Sequence, residues 1–282
     1  MKKNIPILFF VLILLNAFIN IYAGDLKVIK ERTFPISPGK VLKVDASSGD
    51  VLVSTWDKNE VYIKILGNEK AEDKMKFEFN NDNDMVEVIA KREHWLSGWF
   101  SSGIRLRFEI KVPIKFNEKV RTSGGDVYTT NTSGNLDIST SGGDIKLENV
   151  DGIFDLSTSG GDISGMNFQG NLNASTSGGD INLRGNDSKI KASTSGGDIY
   201  LDYKGTNEGI SLSTSGGDIQ IRLPQDFNAS AKMHTSGGEI SCELTANNAK
   251  KISSTKFEAD LNNGGNPLYA ETSGGDIDIL KK

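Results

Sequence analysis

The string Thr-Ser-Gly-Gly-Asp, or its Glu variant, begins at Thr122, Thr140, Thr158, Thr176, Thr194, Thr214, Thr235 and Thr272 of this 282-residue chain, at intervals of 18, 18, 18, 18, 20, 21 and 37 residues. A fixed short period of this kind belongs to a structure built by stacking one small unit. The residues between the strings keep a pattern of their own. Leu136-Asp137-Ile138-Ser139-Thr140 alternates apolar and polar before one copy, and Asp144-Ile145-Lys146-Leu147 alternates after it. Two period-2 strands per 18 residues, with Gly-Gly between them, describe one coil of a solenoid. A single coil cannot bury its apolar stripe, whereas coils stacked about 4.8 Å apart pair their backbones and build a continuous core. The fold class expected is therefore all-β, a single-stranded parallel β-solenoid (β-helix) with 18-residue rungs.

The phase of the alternation assigns faces. Leu156, Thr158 and Ile163 point inward, and Asp155, Ser157 and Asp162 outward. Each repeated Thr is then an interior corner residue able to pass hydroxyl hydrogen bonds from rung to rung, which satisfies a polar group that burial would penalise. The glycine pair is expected to turn the corner through positive φ. Outward positions repeat small polar side chains such as Ser157, Asn173 and Ser211, which offer few anchors to a partner.

Outside the regular region, Val41 to Val53 reads as a degenerate first rung followed by the strand Val61 to Ile65, so the solenoid is expected to begin there. Residues 24–120 form an N-terminal β region with degenerate rungs, and 121–282 the regular solenoid. Phe257 to Leu261, the turn Asn262-Asn263-Gly264-Gly265 and Leu268 to Thr272 are expected to form an irregular terminal rung or hairpin over the open end of the core. At the front, Lys2 and Lys3 precede an apolar run and then Ile21-Tyr22-Ala23-Gly24, the pattern of a secretory signal peptide over residues 1–23 cleaved near Ala23. Its removal takes away two lysines and no acid, moving the formal charge from −5 to −7, and places the mature chain outside the cytoplasm, in the periplasm, secreted or at the cell surface. The acidic composition gives no support for the basic face that nucleic-acid binding needs, so no nucleic-acid partner is expected.

The leader, the opening Thr33-Phe34-Pro35 and Pro38-Gly39-Lys40-Val41-Leu42-Lys43-Val44, the strand Leu106 to Pro113 and the ladder of Ser-Gly-Gly-Asp-Ile copies together resemble the bacterial putative-adhesin domain family. The likeness spans nearly the whole mature chain. It implies a right-handed parallel β-solenoid exported to the cell envelope, with no catalytic motif to carry over.

The repeat places Asp126, Asp144, Asp162, Asp180, Asp198, Asp218 and Glu239 in one acidic column, continued by Asp276. Unit charges about 4.8 Å apart repel by roughly 1 kcal/mol in water and several times more at an effective dielectric near 20, so something must compensate. Backbone N–H groups at the corner and neighbouring Ser hydroxyls are the expected partners. Calcium is the alternative, but it wants about six to eight oxygens, and the second corner, for example Glu148 to Gly152, repeats no matching ligand. No metal or cofactor is expected. Carbohydrate cleavage needs one place where two carboxyl environments diverge, and a uniform ladder supplies none. His234 reads as a surface variant at an outward position, and Cys242, in phase with Ile240 and Leu244, as a buried thiol. The contact surface expected from composition is the loop His94-Trp95-Leu96-Ser97-Gly98-Trp99-Phe100, where Trp95, Trp99 and Phe100 could anchor a partner. Lys91, Arg92, Arg105 and Arg107 nearby could meet anionic headgroups in a peripheral membrane contact; the competing expectation is that the rings cap the solenoid. The chain is thus expected to be a non-enzymatic envelope or surface interaction protein of unknown partner. Capture of cationic peptides under envelope stress is the first alternative, and a polysaccharide-modifying enzyme the second.

Overall fold

The structure is a computed structural model that describes residues 26–93 and 103–282. Among the described residues it is all-β: 22 strands join in one open sheet, with one short helix, Glu69–Lys74, whose first turn is capped by the Asn68 side chain. The regular rungs are the 13-residue strands Ile145–Ser157, Ile163–Ser175 and Ile181–Ser193, parallel to one another. Their register follows the 18-residue period, with Ile145 opposite Ile163, Ile163 opposite Ile181, and Ser157 opposite Ser175. Every second side chain enters the core as the alternation requires: Ile145, Leu147, Leu156, Ile163 and Leu183 have no exposed surface. The repeated threonines are buried, and each hydroxyl bridges two rungs. Thr158 Oγ1 donates to the Gly143 carbonyl of the preceding rung at 2.9 Å and accepts from the Gly161 N–H of its own at 3.3 Å. The bridge therefore runs to backbone rather than from threonine to threonine.

The glycine pair does not work as expected. None of the glycines in the Thr-Ser-Gly-Gly corners has positive φ. The second glycine is required by contact between rungs: a Cβ on Gly161 would lie 2.0 Å from the Gly143 carbonyl oxygen, and one on Gly143 2.0 Å from that of Gly125. The first glycine has room, since a Cβ on Gly160 would meet nothing closer than 3.8 Å.

Rungs do not stack in chain order at either end, and this corrects two expectations. The rung made by Val41–Ala46 and Asp50–Trp56 is not outermost. It lies between Met85–Arg92 with Leu106–Pro113 on one side and Asn117–Thr122 with Val127–Thr130 on the other, parallel to all four strands. Glu60–Gly67, which includes Val61 to Ile65, is not the next coil but an antiparallel cover on Leu106–Pro113, with Lys27–Pro35 outside it. At the other end Pro267–Thr272 and Ile277–Lys281 are not a terminal cap. They slot in parallel between the coil of Ile210–Ser213 and Ile219–Leu223 and the coil of Ala229–Thr235 and Ile240–Cys242. The cap there is Lys256–Leu261, antiparallel to Ala229–Thr235, with Ala246–Ile252 outside it. The physical reason is that stacking rewards matched apolar stripes and matched corners, whatever the chain order. The antiparallel strands then cover edges that would otherwise invite pairing with another chain.

Candidate functional site

The acidic column is a continuous hydrogen-bonded ladder. The N–H of Asp144 donates to Asp126 Oδ1 at 2.9 Å, and the N–H groups of Asp162, Asp180, Asp198 and Asp218 each donate to the Asp one rung below at 2.8 Å. The column then passes to Asp276 at 2.8 Å and only afterwards to Glu239 at 2.7 Å, because the C-terminal rung is the inserted one. Its first member is Asp50, whose Oδ1 accepts from the Asp126 N–H at 3.2 Å. Sequence reasoning left Asp50 out of the column because its corner, Ser47-Ser48-Gly49-Asp50, carries a single glycine. Burial, followed by the Asp126 charge, raises the Asp50 carboxyl above its usual range, against the lowering pull of the Asp126 N–H and Arg107. A hydrogen bond to a charged acceptor contributes about 1.5–3 kcal/mol, enough to offset like-charge repulsion of roughly 1 kcal/mol per exposed neighbour. Among the described residues no three His, Cys, Asp or Glu side chains converge where an ion could sit.

The second corner repeats no carboxylate ligand, but it does carry a repeat of its own. Asn131, Asn149 and Asn167 take left-handed conformations with φ of 61°, 55° and 54°. Their side chains form an amide ladder, Asn149 Nδ2 donating to Asn131 Oδ1 at 3.1 Å and Asn167 to Asn149 at 2.7 Å. Asn tolerates this backbone region better than other residues with a side chain. The signal was present as Asn-x-x-Gly at 131–134, 149–152 and 167–170. Its glycines are fixed by close approach, since a Cβ on Gly152 would lie 2.0 Å from the Gly134 carbonyl oxygen, and one on Gly170 2.0 Å from that of Gly152.

One carboxyl group is enclosed in the core. Glu118 stands in an inward column that holds Leu42 on one side and Leu136 on the other. Thr129 Oγ1 donates to its Oε2 at 2.8 Å and Thr132 Oγ1 to its Oε1 at 3.3 Å. Burial pushes its carboxyl up to about 7, with the two hydroxyls pulling the other way. Because the folded value lies above the unfolded one, the folded state holds a proton that the unfolded chain releases, and stability falls as pH rises from about 4.5 to about 7. The loss is on the order of 3 kcal/mol. Glu118→Gln keeps an acceptor and removes the titration, so melts of the two proteins from pH 4 to 8 should show the variant gaining relative stability across that window. A constant difference would show that Glu118 stays ionised.

Trp95, Trp99 and Phe100, with His94, lie outside the described residues. The third tryptophan is used in packing: Trp56 Nε1 donates to the Glu60 carbonyl at 2.8 Å, its ring lies 6.0 Å from that of Tyr62, and Lys58 Nζ sits 4.7 Å over it. His234 is half-buried, with Nδ1 3.1 Å from the Thr255 carbonyl. Cys242 is half-buried rather than buried, because its strand, Ile240–Cys242, pairs on one side only, with Ile277–Lys281; burial still raises its thiol. No helix among the described residues is long and apolar enough to cross a membrane.

Two laddered corners joining in-register parallel strands define a β-solenoid of the toastrack kind. The chain belongs to the Toastrack DUF4097 family, whose sequence pattern matches residues 40–280. Among proteins of curated function no match was found. Similar solved structures include a "putative cell adhesion protein" from Clostridium sporogenes, 14% identical over 90% of this chain and 99% of that one, with a TM-score of 0.34. A "putative adhesin" from Bacteroides fragilis is 13% identical over 92% and 98%, with a TM-score of 0.44. A "putative lipid binding protein" from Parabacteroides distasonis is 13% identical over 92% and 98%, with a TM-score of 0.41.

Proposed function

We propose that this chain is an exported, non-enzymatic interaction protein of the cell envelope or surface, which binds through surfaces held rigid by the stacked rungs. The observation that carries the reading is the in-register parallel stack, in which outward side chains line up in rows from rung to rung, Ser139 beside Ser157, Ser157 beside Ser175 and Ser175 beside Ser193. Such a scaffold suits extended contacts more than enclosure of a small substrate. Export rests on the N-terminal leader pattern, with cleavage after Ala23. The tryptophan loop is the proposed contact with an envelope partner or a lipid surface, since Trp95, Trp99 and Phe100 could each bury well over about 100 Å².

The test replaces all three by Ser in the full chain. Association with envelope fractions should be lost while the β-rich circular dichroism spectrum and the melting temperature stay close to wild type. Unchanged association would overturn the assignment of the loop, and loss of folding would make the rings a cap. Capture of cationic peptides keeps one specific support: each Asp of the ladder commits Oδ1 to backbone and is itself exposed at Asp144, Asp162, Asp180, Asp198 and Asp218.

A further inference from the structure

The insertion of the C-terminal rung assembles an outer face that chain order does not foreshadow. Tyr269 lies directly between Ser211 on one neighbouring strand and Lys232 on the other. Beyond Ser211 the same row continues to Lys191, and beyond Lys232 it continues to Glu258 and then Lys251 on the capping strands. In the adjacent row Lys256 stands opposite His234, which is opposite Glu271. At strand spacings of about 4.8 Å, Lys191 and Lys232 are roughly 15 Å apart, with the tyrosine between them. The ring is 48% exposed, one of the few large apolar side chains left open to solvent among the described residues.

The charges on this face are unevenly paired. Glu258 is held by Lys250 at 3.4 Å, and Asp260 by Ser230 and Asn248. Lys191, Lys232, Lys251 and Lys256 are exposed and make no ion pair among the described residues. A chain of net charge −5 thus gathers four lysines that make no ion pair around one open aromatic ring, along a shallow groove of about 710 Å³ lined by Ser211, Lys232, His234, Lys256 and Tyr269 and also by the carboxylates Glu258 and Glu271.

We propose that this face binds an acidic polysaccharide. The apolar face of a sugar ring stacks on Tyr269, and the anionic groups of neighbouring sugars pair with Lys232 and Lys256 next to it, with Lys191 and Lys251 extending the track. An exposed row of cations spaced over several strands fits a linear polyanion, since each exposed pair is weak and affinity accumulates along the chain. Serine and histidine along the groove offer hydrogen bonds to hydroxyls. The proposal deepens the interaction reading by naming a ligand class, and it places the contact away from the tryptophan loop.

Affinity electrophoresis of the purified full chain through gels containing polygalacturonate, dextran sulfate or neutral dextran tests it. Wild type should be retarded by at least one of the two acidic polymers, which also tells carboxylate from sulfate, and not by neutral dextran. Tyr269→Ala and the double variant Lys232→Gln/Lys256→Gln should each weaken retardation about tenfold with unchanged melting temperature, and added salt should weaken it for wild type. The Trp95/Trp99/Phe100 triple variant should bind the polymer as wild type does, so failure of the loop assignment and failure of this one give different results. No retardation by either acidic polymer, equal retardation of wild type and the face variants, or preference for phosphatidylglycerol vesicles over both polymers would overturn the proposal.

Discussion

Ile163→Asp is expected to destabilise the protein by on the order of 5 kcal/mol and to lower its melting temperature by about 10 °C or more. Ile163 has no exposed surface and sits between Ile145 and Ile181 in the inward column. The substitution removes apolar burial, opens a void and introduces a carboxyl with no partner in the core. A lesion in a middle rung also breaks contacts with both neighbours, on which a stacked fold depends. Asp162→Asn, one residue away, should be nearly neutral: the amide oxygen can still accept the Asp180 N–H, and one repulsive charge leaves the ladder. Thermal melts of the pair compare the inward and outward phases directly, and an Ile163→Asp protein that melts like wild type would mean that the phases are reversed.

Gly161→Ala should be the more surprising of the corner variants, costing several kcal/mol for a single methyl group, while Gly160→Ala stays within about 1 kcal/mol of wild type. The added Cβ at 161 would lie 2.0 Å from the Gly143 carbonyl oxygen, a backbone atom that cannot yield without separating two rungs. Separation would also weaken the Thr158 bridge, which accepts from the Gly161 N–H and donates to that same carbonyl. At position 160 the nearest atom would be 3.8 Å away, an ordinary contact. Had the pair been selected for positive φ, the two variants would lose comparable amounts; chemical denaturation of both separates the explanations.

Much of the architecture was legible because the repeat encodes it twice, once in the period and once in the alternation. The inward Thr158 and Ile163, the outward Asp162 and the parallel 18-residue register all follow from those two periodicities. The stacking order at the ends was not legible. A rung's apolar stripe specifies what it stacks on only by size and corner shape, so Val41–Ala46 could equally have been a first coil, and Pro267–Thr272 a last one. The one hint was the 37-residue interval before Thr272, long enough for a capping hairpin and a return. Asp50 and the Asn131, Asn149 and Asn167 column are fainter in the sequence, since Asp50 follows a single glycine and Asn-x-x-Gly keeps the 18-residue spacing only at 131–134, 149–152 and 167–170. The Tyr269 and Lys232 face could not be read at all, since its members come from six strands that the inserted rung joins into one face.

That insertion is the feature on which both the completed acid ladder and the C-terminal face depend, and cysteine pairing measures it directly. In a Cys242→Ser background, Ser213→Cys with Glu271→Cys joins residues on adjacent strands, whereas Ser213→Cys with His234→Cys spans two strand spacings. Bridging requires Cα atoms within about 7 Å, which adjacent strands at about 4.8 Å satisfy and strands at about 9.6 Å do not. Under mild oxidation the 213–271 pair should form an intramolecular disulfide and the 213–234 pair should remain reduced. Ready oxidation of 213–234 with no bridge at 213–271 would mean that the rungs stack in chain order, and would contradict the account.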